Sequence, residues 1–188
     1  MSLCCYSEGM GETALDVLAR EHQELRELFA KVTDPDADRG SAWLETVKKT
    51  TSHVAVERSF LYPVVKRRHL GSAHLAEELA GDYKQMEHLL VLTERRKINS
   101  PDMPDIITKL LAVFEAHQQR CESVLMPTMR ESLSQPELED MGARMQAAEK
   151  VILSHPHPHL LALGPVYQWT TRFAAAWDRV RDRTVRNR

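Results

Sequence analysis

Leu15, Leu18, His22, Leu25, Phe29 and Val32 recur at steps of three and four residues, the spacing that lines one face of an α-helix. That stripe predicts a helix over Thr13–Val32, with His22 inside its apolar face. The Thr33-Asp34-Pro35-Asp36 cluster favours a turn, and Ser41 is the expected cap of a second helix that runs to His69. Val47, Val54, Glu57, Leu61 and Val64 mark its inner face, with His53 one turn before Glu57. Pro63 removes a backbone donor and predicts a kink or a division there. After Gly71-Ser72, a third helix is expected over Ala73–Lys97, with Leu75, Leu79, Met86, Leu89 and Leu92 inward and His88 one turn before Leu92. Asn99–Pro104 reads as a loop, and a fourth helix over Pro104–Leu133 turns Ile107, Leu110, Phe114, His117, Cys121, Val124 and Leu125 inward. Pro127 repeats the kink signal.

Four such helices on short loops predict an all-α, antiparallel up-down-up-down four-helix bundle. The division that follows is an irregular segment over 1–12, the bundle over 13–133 and an extension over 134–188. The extension reads as a short helix over Pro136–Val151, an extended linker at His155–His159 and an amphipathic helix over Pro165–Arg183. Alternating prolines send the linker's histidines in different directions, so it is not read as a metal site. An apolar fraction of 43% with seven glycines among 188 residues suits helices around one core. The net charge of −2 singles out no charged partner. Six arginines against two aspartates from Arg172 onward read as a solvated helix end, and no nucleic-acid partner is expected. Three cysteines, two of them adjacent at Cys4 and Cys5, make no disulfide framework. With no apolar run near the roughly 18 to 20 residues of a membrane span and no basic-then-apolar leader, a cytoplasmic location and no membrane partner are expected.

The chemistry lies in a repetition. His53 is followed by Glu57 and Pro63, His117 by Cys121, Glu122 and Pro127, and a Glu-His pair precedes each copy at Glu21-His22 and Glu87-His88. A single histidine in an apolar stripe is ordinarily satisfied by backbone carbonyls. Four of them with two acids in one bundle core are another matter, because a buried carboxylate costs several kcal/mol unless it meets a proton or a cation. Imidazoles with carboxylates suit two non-haem iron ions, with manganese or zinc as substitutes. The set is about one donor short of saturating two ions, which leaves room for a small oxidant such as dioxygen or peroxide.

Glu21-His22, His53 with Glu57, Glu87-His88, His117 with Glu122, and the two prolines together resemble the hemerythrin-like HHE cation-binding family over about residues 13 to 133. The resemblance implies a non-haem diiron centre with His22, His53, His88 and His117 as terminal ligands and Glu57 and Glu122 as bridging carboxylates. Hemerythrins proper carry a second histidine where this chain has Lys84. Lys84, Tyr83, Tyr62 and Cys121 are therefore candidates for supporting positions. If the centre is enzymatic, the resemblance implies a catalase-like or ferroxidase-like oxidoreductase. His-Pro tails like the one here follow the domain in some bacterial members. The alternative is a non-catalytic sensor or interaction module whose C-terminal helix meets a protein partner or a second copy.

Overall fold

The computed structural model describes residues 11–72, 74–93, 96–150 and 152. The expected linker at His155–His159 and the helix over Pro165–Arg183 lie outside them, as does most of the irregular N-terminal segment. Helix α1 spans Ala14–Thr33. Thr13 caps it by accepting from the Asp16 amide at 3.2 Å while its own amide donates to Asp16 Oδ2 at 2.9 Å. The buried face of α1 holds Leu15, Leu18, His22, Leu25, Phe29 and Val32, the stripe read from sequence. Helix α2, Arg39–Val56, begins two residues before Ser41, because Asp38 rather than Ser41 is the cap and accepts from the Ser41 amide at 3.2 Å.

At Pro63 the second rod neither stops nor simply bends. A five-residue π turn, Glu57–Leu61, links α2 to α3, Tyr62–Arg68, with backbone angles that stay helical throughout. The Tyr62 amide bonds five residues back to the Glu57 carbonyl. Proline at 63 has no amide to give the Ser59 carbonyl, and the wider turn absorbs the misfit. His69, at φ 51, and Gly71, at φ 75, then turn the chain out of the helix.

The third rod is α4, Leu75–Thr93. The fourth starts at Met103, where Pro104 sits in the first turn and needs no amide partner. It runs as α5, Met103–Arg120, a second π turn, Cys121–Leu125, and α6, Met126–Ser132. Here the Met126 amide bonds back to the Cys121 carbonyl, ahead of Pro127, as Tyr62 does to Glu57 ahead of Pro63. Four rods therefore make an all-α bundle, and the described residues contain no strand.

Leu18, Leu25, Phe29, Leu61, Leu79, Met86, Leu90, Leu110 and Phe114 fill its interior with almost no exposure. Val124, expected inward, is exposed. Helix α7, Gln135–Glu149, is capped by Ser134 with Glu137. It lies on the start of α1, where Gly142 comes so close that an added Cβ would stand 2.7 Å from the Thr13 carbonyl carbon and 2.9 Å from the Ala14 nitrogen. Among the described residues no helix is long and apolar enough to cross a membrane.

Candidate metal centre

Glu57 is the hub. It opens the first π turn, has no exposed surface, and lies among three imidazoles with equally little. His22 Nε2 is 3.9 Å and His53 Nε2 3.6 Å from Glu57 Oε1, while His117 Nε2 is 3.0 Å from Oε2. Each ring turns its other nitrogen to a further carboxylate. His53 Nδ1 lies 2.9 Å from Glu21 Oε2, His22 Nδ1 3.5 Å from Glu122 Oε1, and His117 Nδ1 3.5 Å from Asp82 Oδ2. Of the three, the His53 Nδ1 contact is a hydrogen bond, and a carboxyl group on Nδ1 is how histidines that bind metal are oriented. Cys121 completes the group: its Sγ is 3.5 Å from His117 Nε2, and one ligand atom from each of His22, Glu57, His117 and Cys121 lies within 4.8 Å of every other.

Phe114 closes one side, edge-on to His22 at 6.0 Å and to His53 at 6.3 Å between ring centres. Tyr83 stands at another, 5.6 Å from the His117 ring. The outer carboxylates are themselves held. Glu21 faces Lys49 Nζ at 3.7 Å, and Lys49 is fixed by Glu149 of α7 at 2.8 Å and Glu24 at 2.6 Å. Asp82 accepts from Arg120, and Glu122 accepts from Gln118 at 2.8 Å and meets Arg26 at 3.5 Å.

Burial and the neighbouring ionisable groups set the protonation states. Burial pushes His22 down to about 3, with His53 adding to the effect, and pushes His53 down to about 4. Both are neutral and ready to donate a lone pair. Against the upward pull of its own burial, His53 and His117 hold Glu57 well below the usual carboxylate range. Burial opposes a charge on His117 as well, yet Cys121 and Glu57 hold it well above the ordinary imidazole value. Burial and the adjacent Glu149 push Glu21 up to about 9. Burial also raises the Cys121 thiol, with His117 opposing, and raises the Tyr83 phenol, with Glu57 adding to it.

Three of the residues expected at the site are not brought into the group. His88 is exposed on α4 and is not brought to the group. The inward face of that helix passes through Leu79, Tyr83, Met86 and Leu90, and five residues beyond Tyr83 a side chain has rotated about 140° away. Lys84, next to Tyr83, is exposed for the same reason. Glu122 is not between the imidazoles: it is half-exposed and touches His22 from outside, so among the described residues Glu57 is the only carboxylate at the centre of the group.

Tyr62 is half-buried and stands edge-on to the Tyr83 ring, at 6.4 Å. Glu87, beside His88, is buried and takes Arg58 at 3.1 Å. Asp82 is the residue that sequence reading missed; a lone acid one step from Tyr83 on an otherwise apolar face was its signal.

The donor chemistry fits a metal cation. Both oxygens of Glu57 and both ring nitrogens of His22 are buried without a hydrogen bond, although they lie within ion-pair reach of one another. In a dry interior such atoms need a partner that takes several lone pairs at once.

The model of the hemerythrin HHE cation binding domain matches residues 13–129. An uncharacterised hemerythrin-like protein of Schizosaccharomyces pombe is 22% identical over 171 residues, 89% of this chain and 84% of that one. A DNA nickase of Nostoc is 26% identical over 140 residues, 73% of this chain, and the chain spans 39% of the nickase's length. Among solved structures, a hemerythrin HHE cation binding domain-containing protein from Mycobacterium kansasii shares the fold with a TM-score of 0.62 at 22% identity, over 73% of this chain and 85% of that one. With the family model covering well over half of its residues and a buried cluster able to hold a cation, this chain belongs to the hemerythrin HHE cation-binding family.

Proposed function

We propose that the protein is a non-haem iron protein that holds two ions around Glu57 and binds or reacts with a small oxidant, dioxygen or peroxide. One observation carries the reading: the two oxygens of one buried carboxylate face different imidazoles. Oε1 faces His22 and His53, and Oε2 faces His117. A carboxylate so placed is suited to bridging two ions, with His22, His53 and His117 as the imidazoles that would hold them. Iron bound there would supply the electrons that a small oxidant takes up. Glu21 orients the His53 ring, Glu122 and Asp82 stand 3.5 Å from the outer nitrogens of His22 and His117, and Phe114 keeps water off one side of the group. The Tyr83 hydroxyl, buried next to His117, holds a proton beside the site. The activity named for the Nostoc relative is not part of this proposal, since this chain spans 39% of that protein.

The test is anaerobic loading with ferrous iron, followed by metal analysis and then titration with dioxygen and with peroxide while absorbance and gas exchange are followed. About two irons per chain, lost in Glu57→Ala, are expected. Less than one iron per chain, with His53→Ala indistinguishable from the parent, refutes the proposal. Peroxide consumed with gas release identifies a peroxidatic enzyme, whereas reversible dioxygen uptake identifies a carrier or sensor.

A further inference from the structure

We propose that Cys121 is a direct thiolate ligand of this metal centre, standing where a second carboxylate would otherwise bridge or cap the ions. The inference rests on the reading of the bundle as a metal site and adds a sulfur donor to it. An internal repeat carries it. His53, Glu57, Ser59, Leu61 and Pro63 correspond one for one to His117, Cys121, Ser123, Leu125 and Pro127. The backbone repeats with them. Glu57 and Cys121 each open a π turn, and each carbonyl accepts from the amide five residues on, at Tyr62 and at Met126. The same local backbone aims both side chains the same way, into the interior, where both are wholly buried.

The sulfur-to-nitrogen distance agrees with ligation, and the group as a whole stands wider than the shell of one ion. Four atoms held about 2.0 to 2.3 Å from one tetrahedral ion lie about 3.3 to 3.8 Å from one another. Cys121 Sγ is 3.5 Å from His117 Nε2, and the group of His22, Glu57, His117 and Cys121 closes within 4.8 Å. A separate observation points to a ligand at the same place: the Glu57 oxygens and the His22 nitrogens in this group are buried and have no hydrogen bond. On coordination the S–H bond breaks, a metal–sulfur bond forms and the proton leaves to solvent. A thiolate also makes the donor set softer than three imidazoles and a carboxylate, favouring zinc, cobalt and ferrous iron over manganese.

The test uses the full chain with Cys4→Ser and Cys5→Ser, so that Cys121 is the remaining thiol. Anaerobic loading with cobalt(II) should give an intense near-ultraviolet sulfur-to-cobalt charge-transfer band. X-ray absorption of the zinc form should show one sulfur at about 2.3 Å among nitrogen and oxygen donors at about 2.0 to 2.1 Å. Cys121→Ser should lose the band while retaining cobalt. If that variant does not fold, the scattering from the parent decides alone. Bound cobalt with no sulfur band and no sulfur scatterer overturns the ligand and leaves the metal centre standing. A chain that takes up neither cobalt nor zinc overturns both.

Discussion

Removing metal from the purified chain should lower its melting temperature by at least about 6 °C, and the size of the effect follows from the atoms left behind. Among the buried polar atoms of the cluster, His22 Nε2 and the two Glu57 oxygens have no hydrogen bond. Each such atom costs about 1 to 3 kcal/mol when its partner is lost, so the three together cost on the order of 3 to 9 kcal/mol. A chain of this size shifts its melting temperature by about 2 to 4 °C per kcal/mol. The lower bound of 3 kcal/mol is close to the roughly 2.7 kcal/mol that a ligand at one hundred times its Kd contributes by mass action. Calorimetric scans of loaded, chelated and reloaded protein measure the difference, with metal content checked in each sample. Three superimposable scans, with the chelated sample shown to be metal-free, would refute the reasoning. They would mean that the imidazoles and Glu57 satisfy one another without a cation.

Acid should weaken the metal-free chain in a way set by His22 and His53. Burial holds them at about 3 and about 4, so below the ordinary imidazole value near 6.5 the unfolded chain binds protons that the folded one refuses. Stability therefore falls as pH drops, by about 1.4 kcal/mol per pH unit for each ring. His117, held high, works in the opposite sense, its contribution being present at low pH and lost as pH rises through its folded value. Urea melts of His22→Gln should show a slope shallower by one ring's share; an unchanged slope counts against the assignment. Gly142→Ala should cost about 1 to 3 kcal/mol by driving a Cβ into the α1 backbone. Hydrogen exchange should then speed up across α7, and parental exchange rates would show that α7 does not dock as described. Lys49→Met leaves Glu21 and Glu149 without their shared cation behind His53, and metal affinity should fall about 10- to 100-fold. Competition against a chromophoric chelator measures it, and an unaltered Kd would disconnect the α7 charge network from the centre.

Much of the fold was legible because it depends on periodicity. The apolar stripe of α1 and its start at Thr13 are local facts, as is the disturbance at each proline. The α2 cap was misplaced because Ser41 and Asp38 both offer a suitable oxygen, and only the backbone geometry chooses Asp38. The π turns could not be read as such. A proline announces that one amide bond is missing, but whether the helix kinks, breaks or widens depends on what packs around it.

At the site, the core pairing of His53 with Glu57 needed only a spacing of four, whereas His88 was read inward from its place one turn before Leu92 and Glu122 from its place after His117, and both face elsewhere. Rotation about the helix axis explains both. At about 100° per residue, a step of four returns a side chain to within about 40° of its starting direction, and a step of five leaves it about 140° away. Glu57 follows His53 by four and Cys121 follows His117 by four, and both are buried in the cluster. Glu122 follows His117 by five and His88 follows Tyr83 by five, and both face outward. The spacing of five can bring an acid inward only if a helix gains a residue between the two positions. The fourth rod does gain one, but in the π turn that begins at Cys121, after the point where Glu122 would need it. Proline 127 sets that location, since the carbonyl it cannot satisfy is four residues back at Ser123, inside the turn. A step of four in ordinary α-helix, completed before the π turn opens, therefore places Cys121 rather than Glu122 in the group with Glu57.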